Sequence, residues 1–195
     1  MKRVISYLRG KEKHELTITI PNYLRIISFG DASFGDCRET RRSSTGDINT
    51  LGGSIISWRS QKTKTVCLSS TEAEYIALME MSKEQKFLVM SMEEVFDVEL
   101  PCYLYEDNKA AVYLTKNMHI SSRTKHIHIK YHYIQEHIKN KMGEVLPIDS
   151  EDNYVDILTK NVNVKVFEKL SNGILNGFRD DFGKAIFSNN QRENV

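Results

Sequence analysis

Four acidic residues stand where predicted structural elements begin or end, and their side chains could hold metal ions. Asp31 follows one predicted strand, and Asp107 ends another. Glu74 lies in the first turns of a long predicted helix, and Asp156 lies near the start of the last helix. Phosphodiester hydrolysis by two metal ions requires carboxylates from different elements, holding hard divalent cations ~4 Å apart. A metal-dependent phosphodiesterase site is therefore one hypothesis for this chain.

Three of these residues also have a purely structural interpretation. Asp31 is a common turn residue, and Asp107 could be the N-cap of the helix that follows it. Asp156 near a helix start is favoured by the helix macrodipole alone. Taken singly, the structural interpretation is favoured for each residue, so position alone supports a nuclease only weakly.

Glu72 and Glu74 compete for the helical position in such a site. Two residues along a helix rotate a side chain by about 200°, so the two carboxylates face opposite ways. Glu72 is placed to complete a capping box with Ser69. Glu74 is therefore the better candidate ligand.

The elements that must position these side chains follow from the apolar pattern. Gly52 and Gly53 indicate a bulge or a tight hairpin turn inside the second predicted strand. The predicted strands cover residues 23–29, 48–58, 65–68, 102–105 and 144–148. The predicted helices cover 71–96 (as one helix or two), 109–116, 124–139 and 153–159, the last extending towards residue 175. This order predicts an α/β fold in which three early antiparallel strands join a mixed sheet with helices on its faces.

Composition sets limits on the class of protein. The 195 residues, 40% hydrophobic, fit one domain with short appendages. No apolar run approaches the ~20 residues that cross a membrane, and the first ten residues are too mixed for a secretory signal. Three cysteines without metal-type spacing predict reduced thiols in an intracellular protein. The net charge of +1 carries no information on nucleic acid binding, which must rest on local basic patches.

Five of the six histidines lie between His119 and His137. His128 and His132 are four residues apart and could share a helix face, as zinc ligands do. No cysteine or glutamate completes a zinc spacing with them, so exposed or partly packed histidines on a basic helix are favoured.

The same region holds the best candidate surface for nucleic acid. Basic side chains there would neutralise phosphates without reading sequence, although a solvated helix face is an equally good explanation of the residues alone. The candidate residues are Arg123, Lys125, His126, Lys130 and His132.

Five segments, in this order and spacing, resemble the ribonuclease H domain of copia-type (Pseudoviridae-like) LTR retrotransposon Pol polyproteins. The segments are LGGSIISW (51–58), LSSTEAEYIAL (68–78), DNKAA (107–111), SRTKHI with KYH (122–127 and 130–132) and DILTK (156–160). The resemblance as a whole covers roughly residues 2–175, and a five-part match is far more specific than any one acidic residue.

The resemblance implies a ribonuclease H-like fold, with a mixed five-stranded sheet of three antiparallel strands and two parallel additions, flanked by helices. It also implies a catalytic site that binds two Mg²⁺ ions, with Mn²⁺ as a substitute. The matching catalytic and metal-binding positions are Asp31, Glu74, Asp107 and Asp156. Because all four are present, the family match reverses the preference for structural roles.

Further expectations follow from the same resemblance. The implied substrate is the RNA strand of an RNA–DNA hybrid, and the implied partner is the reverse transcriptase domain of the same polyprotein. Neither a membrane nor a small-molecule cofactor is expected, and the implied location is a cytoplasmic virus-like particle or the nucleus. Residues 1–22 would connect to the reverse transcriptase, 23–177 would form the domain, and 178–195 would be a disordered tail.

Two departures from the family pattern are present, and one of them supports an alternative. Ser33 stands where the family often carries a second aspartate, and Gly30 replaces a commoner serine. Together with weak overall basicity, the change at Ser33 favours an inactive or domesticated remnant that only binds nucleic acid. The intact carboxylates favour the enzyme.

Overall fold

A five-stranded mixed sheet forms the centre of the protein, whose computed structural model describes residues 2–19, 24–117 and 128–178. The strands are β1 (Ile26–Ser33), β2 (Ser44–Leu51), β3 (Ser54–Lys62), β4 (Cys102–Glu106) and β5 (Glu144–Pro147). The helices are α1 (Lys2–Arg9), α2 (Ser70–Phe96), α3 (Lys109–Lys116), α4 (His128–Lys139), α5 (Asp156–Thr159) and α6 (Val164–Leu175), with a short 3₁₀ turn at Ser150–Asp152.

The spatial order of the strands is β3-β2-β1-β4-β5. β2 pairs antiparallel with both β1 and β3, while β4 lies parallel to β1 and β5 lies parallel to β4. The predicted arrangement of three antiparallel strands and two parallel additions is confirmed.

The third strand was wrongly placed by the sequence prediction. Residues 65–68 form no strand and instead lead into α2, whereas the predicted strand over 48–58 is split into β2 and β3. Gly52 and Gly53 make the two-residue turn between them, with φ values of 56° and 89° that favour glycine. β2 begins earlier than predicted, at Ser44, because its buried first residues are polar or glycine and give no apolar signal.

β1 also differs from the prediction, which ended it at residue 29 and put Asp31 in a following turn. The strand continues to Ser33, and Asp31 lies within it, opposite Gly46 of β2. Turn-type residues are tolerated here because the backbone ladder with β2 extends through the whole segment.

The two faces of the sheet carry separate hydrophobic clusters. On one face, Tyr75, Leu78 and Met81 of α2 pack with Leu104 of β4 and Ile134 of α4. The other face places Phe29, Ile48 and Tyr105 with Val155, next to α5. Successive strand residues point to opposite faces, so Leu104 and Tyr105 enter different clusters.

The single last helix predicted from residue 153 towards 175 is wrong, because the chain forms two helices there. α5 has only four residues, and α6 begins after Asn163, whose side chain accepts a hydrogen bond from the Val166 N–H at 3.0 Å. α5 packs closely over Gly46. A Cβ at Gly46 would lie 2.8 Å from Val155 Cγ1 and 2.9 Å from Thr159 Cγ2, so glycine permits this approach.

Both ends of the described chain contact the domain. The Thr17 N–H donates to the Leu175 carbonyl at 2.8 Å, and the Thr19 N–H donates to Ser54 Oγ at 2.9 Å. Phe178, the first residue of the predicted tail, packs edge-on against Tyr154 with a centroid distance of 4.4 Å. Residues 179–195 lie outside the described part, and the predicted segment limits 1–22, 23–177 and 178–195 stay predictions.

A line of hydrogen-bonded polar side chains, here called the buried polar chain, crosses from β3 to α4. Arg59 Nε donates to Asp47 at 2.9 Å, and Asn49 Nδ2 donates to Asp47 at 3.1 Å. Ser28 Oγ donates to Asn49 at 2.6 Å. Gln85 joins Ser28 to His137 through contacts of 3.0 and 3.2 Å. The members are Arg59, Asp47, Asn49, Ser28, Gln85 and His137. Burial lowers the pKa of His137 to about 4, so this histidine is neutral near pH 7.

No helix among the described residues is both long and apolar enough to cross a membrane. Cys37, Cys67 and Cys102 are free thiols, as predicted.

Candidate active site

Carboxylates from four elements meet at one end of the sheet. Asp31 comes from β1, Asp107 follows β4 directly, Glu74 comes from α2, and Asp156 is the first residue of α5. β1 and β4 are parallel neighbours, so their carboxyl ends lie side by side. The structure thus brings the four sequence-predicted residues together and adds a fifth, Glu106, the last residue of β4.

These carboxylates form two overlapping groups, each with one oxygen per residue within 4.8 Å of the others. The first group, called here the aspartate group, contains Asp31, Asp107 and Asp156. The second, called the glutamate group, contains Glu74, Glu106 and Asp107. Asp107 belongs to both groups, so it lies between them.

The aspartate group already contains a positive charge from the protein. Lys160 Nζ lies 2.7 Å from Asp31 Oδ1 and 2.8 Å from Asp156 Oδ1. The hydroxyl of Thr159 donates to the other oxygen of Asp31. Burial raises the pKa of Asp31, although the charge of Lys160 opposes that rise. For Lys160, burial would lower the pKa, but the carboxylates of Asp31 and Asp156 outweigh burial and raise it. Lys160 therefore stays charged between these carboxylates.

Among the described residues, no positively charged side chain compensates the glutamate group in this way. Glu74 is 8% exposed and Glu106 is fully buried, and Oε2 of each has no hydrogen-bond partner in the described part of the chain. Burial, with the charges of Asp31 and Asp107, raises the pKa of Glu74 to about 9. Burial and the charge of Glu74 raise the pKa of Glu106 well above its ordinary value. Without a bound cation, the carboxyl of Glu74 therefore holds a proton near pH 7.

Two of the structural interpretations given above are wrong. Asn108, not Asp107, is the N-cap of α3, and its side chain accepts from the Ala111 N–H at 3.0 Å. Asp31 lies inside β1 and not in a turn. Asp107 has no capping role and is free to join both carboxylate groups.

Glu72 lies outside both groups. One of its oxygens accepts from the Leu68 N–H at 2.6 Å, and the other pairs with Lys130 of α4 at 3.4 Å. Ser69 Oγ accepts from the Glu72 N–H at 3.1 Å, which is half of the predicted capping box. The carboxylate of Glu72 bonds to Leu68 and not to the N-cap residue, but it serves the same helix start.

Sequence reasoning assigned no role to Glu106, Thr159 or Lys160. Glu106 is two residues beyond Leu104, so strand alternation puts both side chains on the α2 face. Lys160 is four residues after Asp156, the spacing at which opposite charges on a helix meet. Both signals were present in the sequence.

Only part of the predicted nucleic-acid surface can be placed. Lys130 reaches Glu72 at the start of α2, and His132 is exposed on α4. Arg123, Lys125 and His126 lie outside the described residues. Within residues 2–19, 24–117 and 128–178, no histidine belongs to a group that could hold a metal.

The departure at residue 30 has a local explanation, whereas the one at residue 33 has none in the structure. A Cβ at Gly30 would lie 3.0 Å from Cε of Met81, so this methionine fills the space beside the glycine. Ser33 is the last residue of β1 and belongs to neither carboxylate group.

The donor set fits divalent cations with a preference for oxygen ligands, such as Mg²⁺ or Mn²⁺. Every candidate ligand is a carboxylate, two buried oxygens lack partners among the residues that the structure describes, and Lys160 already places a cation within the aspartate group. The excess negative charge is therefore matched to metal ions.

In metal-free protein, the unfolding free energy is expected to fall as the pH rises from 7 to 9. Glu74, with a folded-state pKa of about 9, is protonated in the folded state but ionised in the unfolded chain, so raising the pH favours unfolding. The pKa of Glu106 is shifted in the same direction. Asp31 and Asp107 act in the same direction on Glu74, and Lys160 opposes them. Glu74 contributes roughly 1.4 kcal/mol per pH unit until the pH approaches its folded-state pKa of about 9.

Urea unfolding in EDTA at several pH values measures this slope. The window lies above the titration of His137, which would confuse a measurement at lower pH. Glu74→Gln should flatten the curve, and added Mg²⁺ should reverse it, because metal binding releases protons. Stability that stays constant or rises from pH 7 to 9 in EDTA would contradict the expectation.

Comparisons with known proteins show which sequences and which fold the chain resembles. The chain is 37% identical over 174 residues to the retrovirus-related Pol polyprotein from transposon TNT 1-94 of Nicotiana tabacum, covering 82% of the chain and 13% of the polyprotein. It is 33% identical over 175 residues to that from transposon RE1 of Arabidopsis thaliana, covering 89% of the chain and 12% of the polyprotein. The chain thus spans only a small part of these relatives. No family model matches it.

Among solved structures, LC11-RNase H1 in complex with RNA/DNA hybrid superposes with a TM-score of 0.51 at 16% identity, covering 69% of the chain and 94% of that structure. At this identity the likeness speaks for the fold alone. The chain is therefore a homologue of the retrovirus-related Pol polyproteins of copia-type transposons, in a segment that has the fold of ribonuclease H.

Proposed function

We propose that this chain is a ribonuclease H that hydrolyses the RNA strand of RNA–DNA hybrids by two-metal-ion catalysis. The observation that carries the proposal is the convergence of carboxylates from four elements at one end of the sheet. The proposed catalytic and metal-binding residues are Asp31, Glu74, Asp107 and Asp156.

The relatives support the biological setting of this proposal. One solved neighbour is held with an RNA/DNA hybrid, and the homologues are Pol polyproteins. The proposed partners are therefore an RNA–DNA hybrid and the reverse transcriptase domain of the same polyprotein. The proposed location is intracellular, in a virus-like particle or in the nucleus.

The chain's own groups set up the reaction. Bound divalent cations would supply an activated water and charge stabilisation at the leaving 3′-oxygen. Thr159 and Lys160 orient Asp31, and Lys160 also fixes Asp156. Asp107 belongs to both carboxylate groups, so it would contact both cations. No side chain of the protein has to act as the nucleophile.

Hybrid recognition is assigned to the basic region around α4. Lys130 is held near the N-terminal end of α2, the helix that carries Glu74. Together with His132, Arg123, Lys125 and His126, it would neutralise phosphates without reading sequence. Discrimination of the RNA strand would depend on its 2′-hydroxyl groups.

The test is cleavage of a labelled RNA–DNA hybrid by the purified chain in Mg²⁺, in Mn²⁺ and in EDTA. We expect metal-dependent cutting of the RNA strand in the hybrid, with DNA duplex and single-stranded RNA left intact. Asp107→Asn, prepared in parallel, should abolish cutting, which also excludes a co-purified host nuclease. Asp149→Asn is the matched control, because Asp149 is exposed and makes no side-chain capping bond.

If the folded wild-type chain cuts the hybrid with neither metal, the proposed ribonuclease activity is overturned. Measured affinity for the hybrid would then decide for or against the alternative, a remnant that only binds nucleic acid. Cutting that persists in Asp107→Asn would overturn the assigned site.

A further inference from the structure

Glu106 is a fully buried carboxyl at the candidate site that the four proposed catalytic residues do not include. It is the last residue of β4, and it lies next to Asp107 in sequence. One of its oxygens falls within 4.8 Å of an oxygen from Glu74 and one from Asp107. Oxygens around a single cation at ~2.0–2.6 Å can be this far apart.

The orientation of Glu106 is fixed by the backbone. Its Oε1 accepts from the Asn108 N–H at 3.1 Å, at the start of α3. Oε2 is left without a hydrogen-bond partner among the described residues, and so is Oε2 of Glu74. Two buried and unpartnered carboxyl oxygens in one group are costly in a folded protein. A bound ligand that needs oxygen donors would satisfy both.

The two carboxylate groups differ in charge compensation. Lys160 neutralises part of the aspartate group, through Asp31 and Asp156. In the glutamate group, no lysine, arginine or histidine of the described chain pairs with Glu74 or Glu106. A cation entering the aspartate group must displace the ammonium of Lys160 from Asp31 and Asp156, whereas no ammonium of the described residues occupies the glutamate group.

We propose that Glu106 is an additional metal ligand, which holds one divalent cation together with Glu74 and Asp107. This site fills at a lower metal concentration than the aspartate group. The inference rests on the proposed function, since it concerns a cation of the same centre. The inference adds a fifth carboxylate to the proposed metal centre and states which of the two cation sites fills first. Stronger negative charge in an oxygen-ligand site raises affinity for the ion.

Isothermal titration calorimetry of metal-free protein with Mn²⁺ tests the proposal without measuring catalysis. The wild-type chain should show a tighter and a weaker binding event. Glu106→Gln should weaken the tighter event by roughly 10–100-fold, a range typical for residues that support a metal site, and leave the weaker one unchanged. Glu74→Gln should weaken the same event, and Asp156→Asn should weaken the other.

The matched control is Glu94→Gln, which removes the same charge from an exposed position on α2. It should leave both events unchanged. Electron paramagnetic resonance of the bound Mn²⁺ provides a second readout, since loss of one ligand changes the signal of the tighter ion. If circular dichroism shows that Glu106→Gln is unfolded, Glu106→Asp replaces it, because the shorter side chain keeps the charge but withdraws the oxygens.

If the tighter and the weaker Mn²⁺ binding events have the same affinities in Glu106→Gln as in wild type, the inference is overturned. The proposed nuclease function would stay intact. In that case Glu106 takes no part in holding the ion. If Glu106→Gln weakens the same binding event as Asp156→Asn, the proposed order of filling is overturned. A wild-type chain that binds no Mn²⁺ at all would overturn both this inference and the metal dependence of the proposed function.

Discussion

The Asp31→Asn chain is expected to fold and to lose its hybrid-cleaving activity by more than roughly 10³-fold, since loss of one preorganised electrostatic group already costs about 10²–10³-fold. Asp31 is fully buried and contributes a charged oxygen to the aspartate group. Asparagine has the same shape but no charge, so Lys160 would remain paired only with Asp156. Single-turnover cleavage rates at saturating Mg²⁺ measure the loss.

Asp36→Asn is the control for this prediction. Asp36 lies five residues away and pairs with Lys62 on the surface, so its loss should change cleavage by no more than about twofold, as for an exposed ion pair. Circular dichroism must show that both variants are folded. A folded Asp31→Asn chain that cleaves within tenfold of wild type would contradict the assignment of Asp31.

The aspartate group of the Lys160→Met chain is expected to bind Mg²⁺ at least ~10-fold more tightly than that of wild type. The reason is that repulsion by a nearby unit charge is worth a few kcal/mol at an intermediate dielectric constant. Lys160 occupies the space between Asp31 and Asp156 and repels an incoming cation. The same substitution should lower the metal-free unfolding free energy by about 1–3 kcal/mol. This is less than breaking a fully buried pair costs, because the lysine is 34% exposed.

Thermal unfolding across a Mg²⁺ titration separates these two effects. Without Mg²⁺, the unfolding temperature of Lys160→Met should be below that of wild type. As Mg²⁺ is added, it should begin to rise at lower concentrations than the unfolding temperature of wild type does. Lys169→Met is the matched control, because Lys169 pairs with Asp152 on an exposed surface. Unchanged or weaker Mg²⁺ binding in Lys160→Met would show that the lysine does not compete with the cation.

The sequence predicted the helices around the site better than the strands. α3 has the predicted bounds, and α2 is one helix from Ser70 to Phe96, because caps and long apolar periods mark helices clearly. The start of β2 was missed because Ser44, Thr45 and Asp47 are polar although buried. Their burial depends on pairing with distant β1, which no local pattern encodes.

The candidate site was predictable as a list of residues but not as an arrangement. The acidic residues could be identified by their segments, yet Glu106 was assigned to the loop after a strand predicted to end at residue 105. The partition into two groups depends on Lys160, whose contact with Asp31 spans 129 residues of sequence. Packing of α5 over Gly46 sets that contact, and such long-range packing has no signature in spacing.

The buried polar chain also constrains how this protein can diverge. Each of Asp47, Asn49, Ser28 and Gln85 bonds to the next, so an apolar replacement of one leaves a buried partner unsatisfied. Homologous sequences can lose the buried polar chain only through coordinated substitutions, since each single substitution lowers the free energy of unfolding. We therefore expect these positions to covary among homologues of this chain, with neutral changes concentrated at exposed sites.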